Sequence, residues 1–175
     1  VVVQASERPV ELYPLFFHPS GTLYPLLVPT GPAKKNVLHK KIRDFIGSPR
    51  PPRLAPPGKL PPFGEMLRVL RKFRLLPAIF FLKSRADCDR ALEQCRGKLL
   101  PDPARSTVLK KWIEAFGHQS RHVIRHRQRW FLENLALGSH HAGQLPAWKL
   151  MLERLMSEGL LDAVFATSTV AAGVN

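Results

Sequence analysis

The sequence contains little cysteine, little acid and no long apolar run. Its two cysteines, Cys88 and Cys95, would stand about 10 Å apart on one helix, beyond the roughly 7 Å that a disulfide tolerates between Cα atoms. We therefore expect two buried thiols. The apolar runs, of which Pro77–Leu82 is typical, fall short of the roughly 20 residues that cross a bilayer. Because Val1–Gln4 has neither a basic segment nor a small-residue cleavage pattern, we expect no signal peptide and a cytoplasmic protein. With no run long enough to span a bilayer, we expect no membrane among its partners.

Two nucleotide-binding patterns are also missing from these 175 residues. There is no Gly-x-x-x-x-Gly-Lys-Ser/Thr loop to cradle a triphosphate, and no Asp-Glu-x-His segment to hold magnesium and orient water. We therefore expect this chain alone not to hydrolyse ATP, and we place no catalytic residue and no metal site in it.

The shortage of acid leaves a strongly basic chain, with 27 Lys and Arg against 13 Asp and Glu, a net charge of +14 and a pI near 10.6. Such a charge favours a polyanionic partner, either nucleic acid or an acidic membrane surface. Much of the excess lies in residues 34–74, which hold twelve basic residues and two acids. This region is interpreted as a basic, Pro-rich insertion, in which Ser48–Pro62 forms an extended linker between a helix over Lys34–Ile46 and another from about Gly64. A polyproline ligand for an adaptor domain is the less favoured interpretation.

Strand patterns alternate with helical patterns along the rest of the chain. A hairpin is predicted from Leu12–Phe17 and Leu23–Val28, at a sheet edge because each run contains a proline. The further predicted strands are Ala78–Leu82, which suits burial on both faces, Leu135–Gly138 and Leu161–Ala166. Four further helices are predicted: one begins at the Ser84 cap, one follows Pro103, one covers His118–Asn134 and one covers Leu145–Glu158. This alternation predicts an α/β fold with a parallel sheet flanked by helices.

Two loops carry the strongest chemical signal, Gly138-Ser-His-His-Ala-Gly143 and Ala166-Thr-Ser-Thr-Val-Ala-Ala-Gly-Val-Asn175. Each follows a predicted strand, and ligands of open parallel sheets bind beyond the carboxyl ends of the strands. The hydroxyls and amides of residues 167–169 suit phosphate oxygens, and Gly173 permits close approach. An ordinary strand-to-helix loop with capping threonines is the alternative.

These two loops, preceded by Phe80-Phe-Leu-Lys-Ser-Arg85 and by Glu7-Arg-Pro-Val-Glu-Leu12, resemble the superfamily 2 DExH-box helicases of the superkiller type and their archaeal DNA-repair relatives. The resemblance covers nearly the whole chain and is most specific over 137–175. It implies that residues 1–175 are a partial second RecA-like domain whose C-terminal part lies beyond Asn175. ATP and Mg²⁺ would be bound mainly by the first RecA-like domain of the same protein, and a single strand of RNA or DNA would occupy the motor channel.

The resemblance also implies roles for individual residues. Nucleic-acid contacts are expected from three motifs, and the end of the last motif is expected to face the nucleotide cleft. The nucleic-acid residues are Ser84, Arg85, His140, His141, Gly143, Thr167 and Thr169, and the cleft residues are Gly173 and Asn175. The intact protein is thus expected to be an ATP-dependent helicase that grips the strand backbone.

Other interpretations stay open. The chain also fits a basic nucleic-acid-binding module without motor activity. The spacing of His118, His122 and His126 places them on one face of a helix, where a solvated basic face is favoured over a metal site because arginines surround them. The pair His140-His141 is a less favoured acid-base candidate, since no nucleophile with an orienting acid accompanies it.

Overall fold

The computed structural model describes residues 11–32 and 35–167, and the chain divides into two compact units, Val1–Pro56 and Pro57–Asn175. The first unit contains two antiparallel hairpins and a helix. These elements are β1 (Leu15–His18), β2 (Thr22–Pro25), β3 (Leu27–Thr30), β4 (Lys35–Leu38) and α1 (Lys40–Gly47). Phe45 of α1 packs on Phe16 of β1 with ring centroids 5.2 Å apart.

The predicted hairpin forms, but the run Leu23–Val28 is not one strand. It divides at Leu26 into β2, which pairs with β1, and β3, which pairs with β4. The predicted helix over Lys34–Ile46 was wrong in its first half, because Lys35–Leu38 pairs with β3, where Val37 stands opposite Val28. Helix α1 begins only after His39, whose Nδ1 accepts a hydrogen bond from the Lys41 amide at 3.2 Å.

Residues 48–62 contain no helix or strand, as their prolines predicted, and α2 (Phe63–Lys72) follows them. Helix α2 buries Phe63 and Leu67 in the core of the second unit. The two ends of the region 34–74 therefore belong to different units, and the structure does not set this region apart as one inserted element.

The second unit is a parallel sheet with helices on both faces, in agreement with the predicted α/β fold. After α2 its elements are β5 (Ala78–Phe81), α3 (Arg85–Gln94), α4 (Pro103–Gln119), α5 (Arg121–Ile124), α6 (Arg129–Leu135), β6 (Leu137–His140), α7 (Pro146–Ser157) and β7 (Ala163–Ala166). Within the described residues the strand order is β5-β7-β6, and both pairings are parallel.

Alternate residues of the central strand β7 enter different cores. Phe165 packs with Phe63 and Phe80 between the sheet and helices α2 and α3, with ring centroids 5.1 and 5.4 Å away. Val164 points to the opposite face, where Trp148 of α7 and Ile113 of α4 are fully buried. Burial on both faces explains why β7 reads as a continuous apolar run. Strand β5 departs from this pattern, because it has one neighbour in the described sheet and its Phe81 is 56% exposed.

The predicted helical span His118–Asn134 is helical in parts but is not one continuous helix. Helix α4 ends at Gln119, Ser120 is extended with φ −149° and ψ 103°, and two short helices, α5 and α6, follow. His118, His122 and His126 therefore do not share one helical face. Strand β6 also begins later than expected, because α6 runs to Leu135 and Ala136 then turns the chain in a left-handed conformation with φ 55°.

The cysteines are free, buried thiols, as expected. Both lie on the buried side of α3 or at its end, and burial raises the pKa of Cys88 to about 11 and that of Cys95 to about 12. Among the described residues, none of the helices combines the length and apolar character required to cross a membrane.

Candidate nucleic-acid interface

Segments of three sequence motifs meet at the carboxyl edge of the parallel sheet, the third of them described only at Ala166 and Thr167. The ends of the strands are in register, with Phe81 and His140 each opposite Ala166. Beyond them the Leu82 amide donates to the Ala166 carbonyl at 2.8 Å, and the Thr167 amide donates to the His140 carbonyl at 3.3 Å. Segments 83–85 and 141–143 therefore lie on either side of Thr167, at the edge where ligands of such sheets bind.

Ser84 caps helix α3, as its sequence context predicted. Its hydroxyl accepts from the Asp87 amide at 3.1 Å and donates to Asp87 Oδ2 at 2.8 Å. The Ser84 hydrogen bond, together with Arg90, lowers the pKa of Asp87. The cap fixes the first turn of α3, so that Arg85 is exposed at its N-terminus next to exposed Lys83. This corner of the interface is cationic.

Gly143 brings the loop after β6 against Arg85. A Cβ atom at Gly143 would stand 3.1 Å from both Cε1 and Nδ1 of His141 and 3.5 Å from Cδ of Arg85. The first two separations are tighter than most real Cβ contacts, so a side chain here would press on a ring that is itself held in place. Glycine therefore lets the loop lie against both residues.

His141 is 3% exposed and has a defined tautomer. Its Nδ1 lies 3.1 Å from the Gly143 amide nitrogen, which is a donor, so Nδ1 must accept and Nε2 must carry the proton. Nε2 then donates to Asp89 Oδ1 at 3.2 Å. The ring therefore connects the loop after β6 to helix α3.

Asp89 is the centre of a buried polar network. Besides His141, its Oδ1 accepts from Gln128 Nε2 at 2.7 Å and from the Ser139 hydroxyl at 2.8 Å, while Oδ2 pairs with Arg127. Burial alone would raise the pKa of Asp89, but the hydrogen bonds from Ser139 and His141 and the charge of Arg127 outweigh it and lower the pKa. Asp89 is therefore an anion at neutral pH.

The glutamines complete this network. The Ser139 amide donates to Gln128 Oε1 at 3.2 Å, which fixes the orientation of that amide group. Gln144 Nε2 donates to the Ser139 hydroxyl at 3.0 Å, and Gln144 Oε1 lies 2.9 Å from His126 Nε2. The His126 ring stacks on Trp148 with ring centroids 3.7 Å apart. Burial lowers the pKa of His126 by more than the hydrogen bond to Gln144 raises it.

His140 lies in strand β6 itself, whereas the loop containing it was expected to follow the strand. It is 7% exposed, its Nε2 lies 2.7 Å from Glu153 Oε1, and its Nδ1 has no hydrogen-bond partner among the described residues. Both histidines of the pair are thus buried and internally bonded, and only the loop backbone that follows them is exposed.

The predicted site residues either lie at this edge of the sheet or fall outside the described residues. Ser84, Arg85, His141, Gly143 and half-buried Thr167 come together at the edge, and His140 contributes its carbonyl there. Thr169, Gly173 and Asn175 lie outside the described residues. The network residues Asp89, Gln128, Ser139 and Gln144 were missed. The available signal was Ser139, a hydroxyl directly after the predicted strand Leu135–Gly138.

The described residues contain no group of three or more His, Cys, Asp or Glu side chains placed to hold a metal ion. The edge of the sheet offers cations, backbone amides and hydroxyls beside the hydrogen-bonded network of Asp89, a set that suits the phosphates of a nucleic-acid backbone.

No known family model matches the chain. Several curated proteins are similar to it. The chain is 39% identical over 140 residues to the probable helicase HelY of Mycobacterium tuberculosis, which is 74% of this chain and 14% of that protein. It is 36% identical over 121 residues to the chloroplastic DExH-box ATP-dependent RNA helicase DExH15 of Arabidopsis thaliana, which is 67% of this chain and 10% of that protein. It is 34% identical over 152 residues to human Superkiller complex protein 2, which is 82% of this chain and 12% of that protein.

The chain thus spans between 10% and 14% of the length of these relatives. The similarity covers most of this chain, and the expected motifs meet at one edge of the expected α/β sheet. The chain belongs to the superfamily 2 DExH-box helicases.

Proposed function

We propose that this chain is part of the second RecA-like motor domain of an ATP-dependent nucleic-acid helicase. In this role it grips the backbone of one strand and closes on ATP held mainly by the first RecA-like domain of the same protein. The observation that supports this proposal best is the meeting of segments 83–85, 141–143 and Thr167 at the carboxyl edge of one parallel sheet.

The proposed grip is made on phosphates. Arg85 and Lys83 supply positive charge, the exposed backbone at Gly143 supplies close approach, and the hydroxyls of Thr167 and Thr169 supply donors. Ser84 acts through its cap, which orients Arg85. His140 and His141 support this surface from inside. Such contacts carry no base information, which suits a motor that must move along any sequence of RNA or DNA.

The nucleotide is proposed to bind away from the strand, in the cleft between the two RecA-like domains. Gly173 and Asn175 are proposed to face the cleft between the two RecA-like domains and to link the nucleotide state to the strand grip. Since the described residues offer no metal-ligating cluster, we assign none of them to Mg²⁺.

The grip is tested by fluorescence anisotropy of this chain with fluorescein-labelled single strands of several sequences. Arg85→Ala should weaken binding about equally for all sequences, and the slope of log affinity against log salt should fall by about 0.7, the value for one phosphate contact to a single strand. The matched control is Lys98→Ala, which removes the same charge beyond the far end of α3. An equal loss in both variants would show general electrostatic attraction and refute the site.

The motor role is tested in the intact protein. Thr167→Ala should reduce the strand-stimulated ATPase rate more than the basal rate, because the proposed contact acts only when a strand is bound. A basic binding module without motor activity would bind strands and show no stimulated ATPase, so stimulation in the parental protein separates the two functions. Full stimulation in a folded Thr167→Ala protein would remove Thr167 from the proposed grip.

A further inference from the structure

The loop that lies against Arg85 is tied to helix α3 by one half-buried carboxylate, that of Asp89. Asp89 stands one turn inside α3, on the same helix whose N-terminus carries Arg85. A single oxygen, Oδ1, accepts from Gln128, Ser139 and His141 at 2.7, 2.8 and 3.2 Å. Asp89 thus joins the helix after β5 to the strand β6 and to the loop after it.

The bond from His141 to Asp89 is one of two bonds that keep the proton of that ring on Nε2. With Asp89 accepting at Nε2, the proton stays on Nε2 and Nδ1 keeps a lone pair. That lone pair accepts the Gly143 amide at 3.1 Å. If the proton moved to Nδ1, two N–H groups would face each other, and the segment 141–143 would have to move away from its present place beside Arg85.

We propose that Asp89 is a positioning residue for strand binding: by fixing the Nε2–H tautomer of His141 it locks the loop 141–143 against Arg85. This inference rests on the proposed function, because it requires that Arg85 and the loop 141–143 grip a strand. Asp89 acts through His141 and Gly143, and its side chain is 26% exposed with Arg127 on its outer oxygen.

The charged and titratable neighbours of His141 support this assignment. Asp89 faces it from α3, and Gln144 links it to His126. Arg127 pairs with the other Asp89 oxygen and remains 69% exposed. Removal of Arg127 therefore leaves the Asp89 to His141 bond in place, which makes Arg127→Ala the matched control for a change at Asp89.

The first measurement is the ¹⁵N chemical shift of the two His141 ring nitrogens in this chain, recorded in long-range ¹H–¹⁵N spectra at pH 7.5. The parental chain and Arg127→Ala should show Nε2 protonated and Nδ1 unprotonated. Asp89→Ala should show a mixture of tautomers and a shifted Gly143 amide resonance. Asp89→Asn retains one acceptor oxygen, so it should restore the parental pattern. An unchanged His141 tautomer in Asp89→Ala would overturn the proposal.

The second measurement is the affinity of the same variants for a labelled single strand. Asp89→Ala should weaken binding roughly threefold to tenfold, which lies within the range of one net hydrogen bond, whereas Asp89→Asn should bind like the parent. If the tautomer changes but Asp89→Ala binds like the parent, while Arg85→Ala binds weakly, the positioning role is refuted and the proposed function stands. If the parental chain binds no strand, both fail together.

Asp89→Ala must keep the parental circular dichroism for this comparison. Should it unfold, Asp89→Ser takes its place, because a serine hydroxyl is shorter and retains a polar group toward Gln128 without reaching His141. The same two measurements then apply, and an unchanged tautomer or an unchanged affinity again overturns the proposal.

Discussion

Replacement of Ser139 by alanine should destabilise the second unit far more than an ordinary serine substitution does. Ser139 is fully buried on β6, and its hydroxyl takes part in three hydrogen bonds. It donates to Asp89 Oδ1 at 2.8 Å and accepts from the side-chain amides of Gln128 at 2.6 Å and Gln144 at 3.0 Å. Alanine fits the space and removes all three.

The magnitude follows from which partners are left without a bond. Asp89 keeps Gln128 and His141, and Gln128 keeps Asp89, so neither is orphaned. Gln144 Nε2 is the exception, because its other neighbour, His141 Nε2 at 3.4 Å, carries a proton and cannot accept. A buried unsatisfied donor costs about 1–3 kcal/mol, and a lost bond to a carboxylate about 1.5–3 kcal/mol. Since the two losses share one hydroxyl, we expect a total of about 2–4 kcal/mol.

The assay is urea unfolding followed by tryptophan fluorescence. Trp112, Trp130 and Trp148 are the three tryptophans of the sequence, and all belong to the second unit, so the signal reports that unit. The control is Ser157→Ala, which removes an exposed hydroxyl that donates to the Glu153 carbonyl of its own helix at 3.0 Å. That change should cost no more than about 0.5 kcal/mol.

A difference between the two serine variants of less than about 1 kcal/mol would contradict the network as described. It would mean that Gln144 finds another acceptor without cost, or that the buried side chains are not arranged as they are here. An equal loss in both variants would have the same meaning, since it would remove the distinction between a buried and an exposed hydroxyl.

Two further predictions concern the helices around this network. Burial lowers the pKa of His126, so as the pH falls the unfolded state binds a proton at a higher pH than the folded state does. The free energy of unfolding should therefore be full above about pH 6.5 and decrease below it. Urea midpoints at pH 7.5 and 5.5 should accordingly differ less in His126→Gln than in the parent. At Gly117, an added Cβ would overlap Ile124 Cγ1 and Cδ1, so Gly117→Ala should destabilise the parent by about 1–3 kcal/mol. In an Ile124→Ala background the same change should instead stabilise by up to about 1 kcal/mol through helix propensity, and loss in both backgrounds would refute the overlap.

The elements of the second unit that sequence predicts well are those whose patterns are local. The Ser84 cap and the buried stripe of α3 depend on residues within one or two turns, and helix α7 depends on its own periodicity. The break at Ser120 was missed because its cause is tertiary. A continuous helix would carry His126 away from Trp148 and Gln144, and those partners are known only once the fold is assembled.

The candidate site likewise contains residues that the sequence can place and a contact that it cannot predict. Arg85 and Gly143 follow predicted strands, so the rule for parallel sheets places them at one edge from the sequence alone. The distance between Asp89 and His141 follows from no such rule, because α3 and β6 are 43 residues apart along the chain, from Gln94 to Leu137. The predicted strand Leu135–Gly138 also ended too early, and this error placed Ser139 and His140 in a loop and concealed that they are buried.

The sign of one effect separates a shaped grip from a merely basic surface. Asp89→Ala removes a negative charge from a chain of net charge +14, so general electrostatics predicts tighter strand binding in the variant. The positioning role predicts weaker binding at every salt concentration, with an unchanged salt slope, because Asp89 contacts no phosphate. Arg85→Ala should lower both the affinity and the slope. If charge alone attracted the strand, these two variants would move the affinity in opposite directions; if geometry is required, they move it in the same direction and differ only in slope.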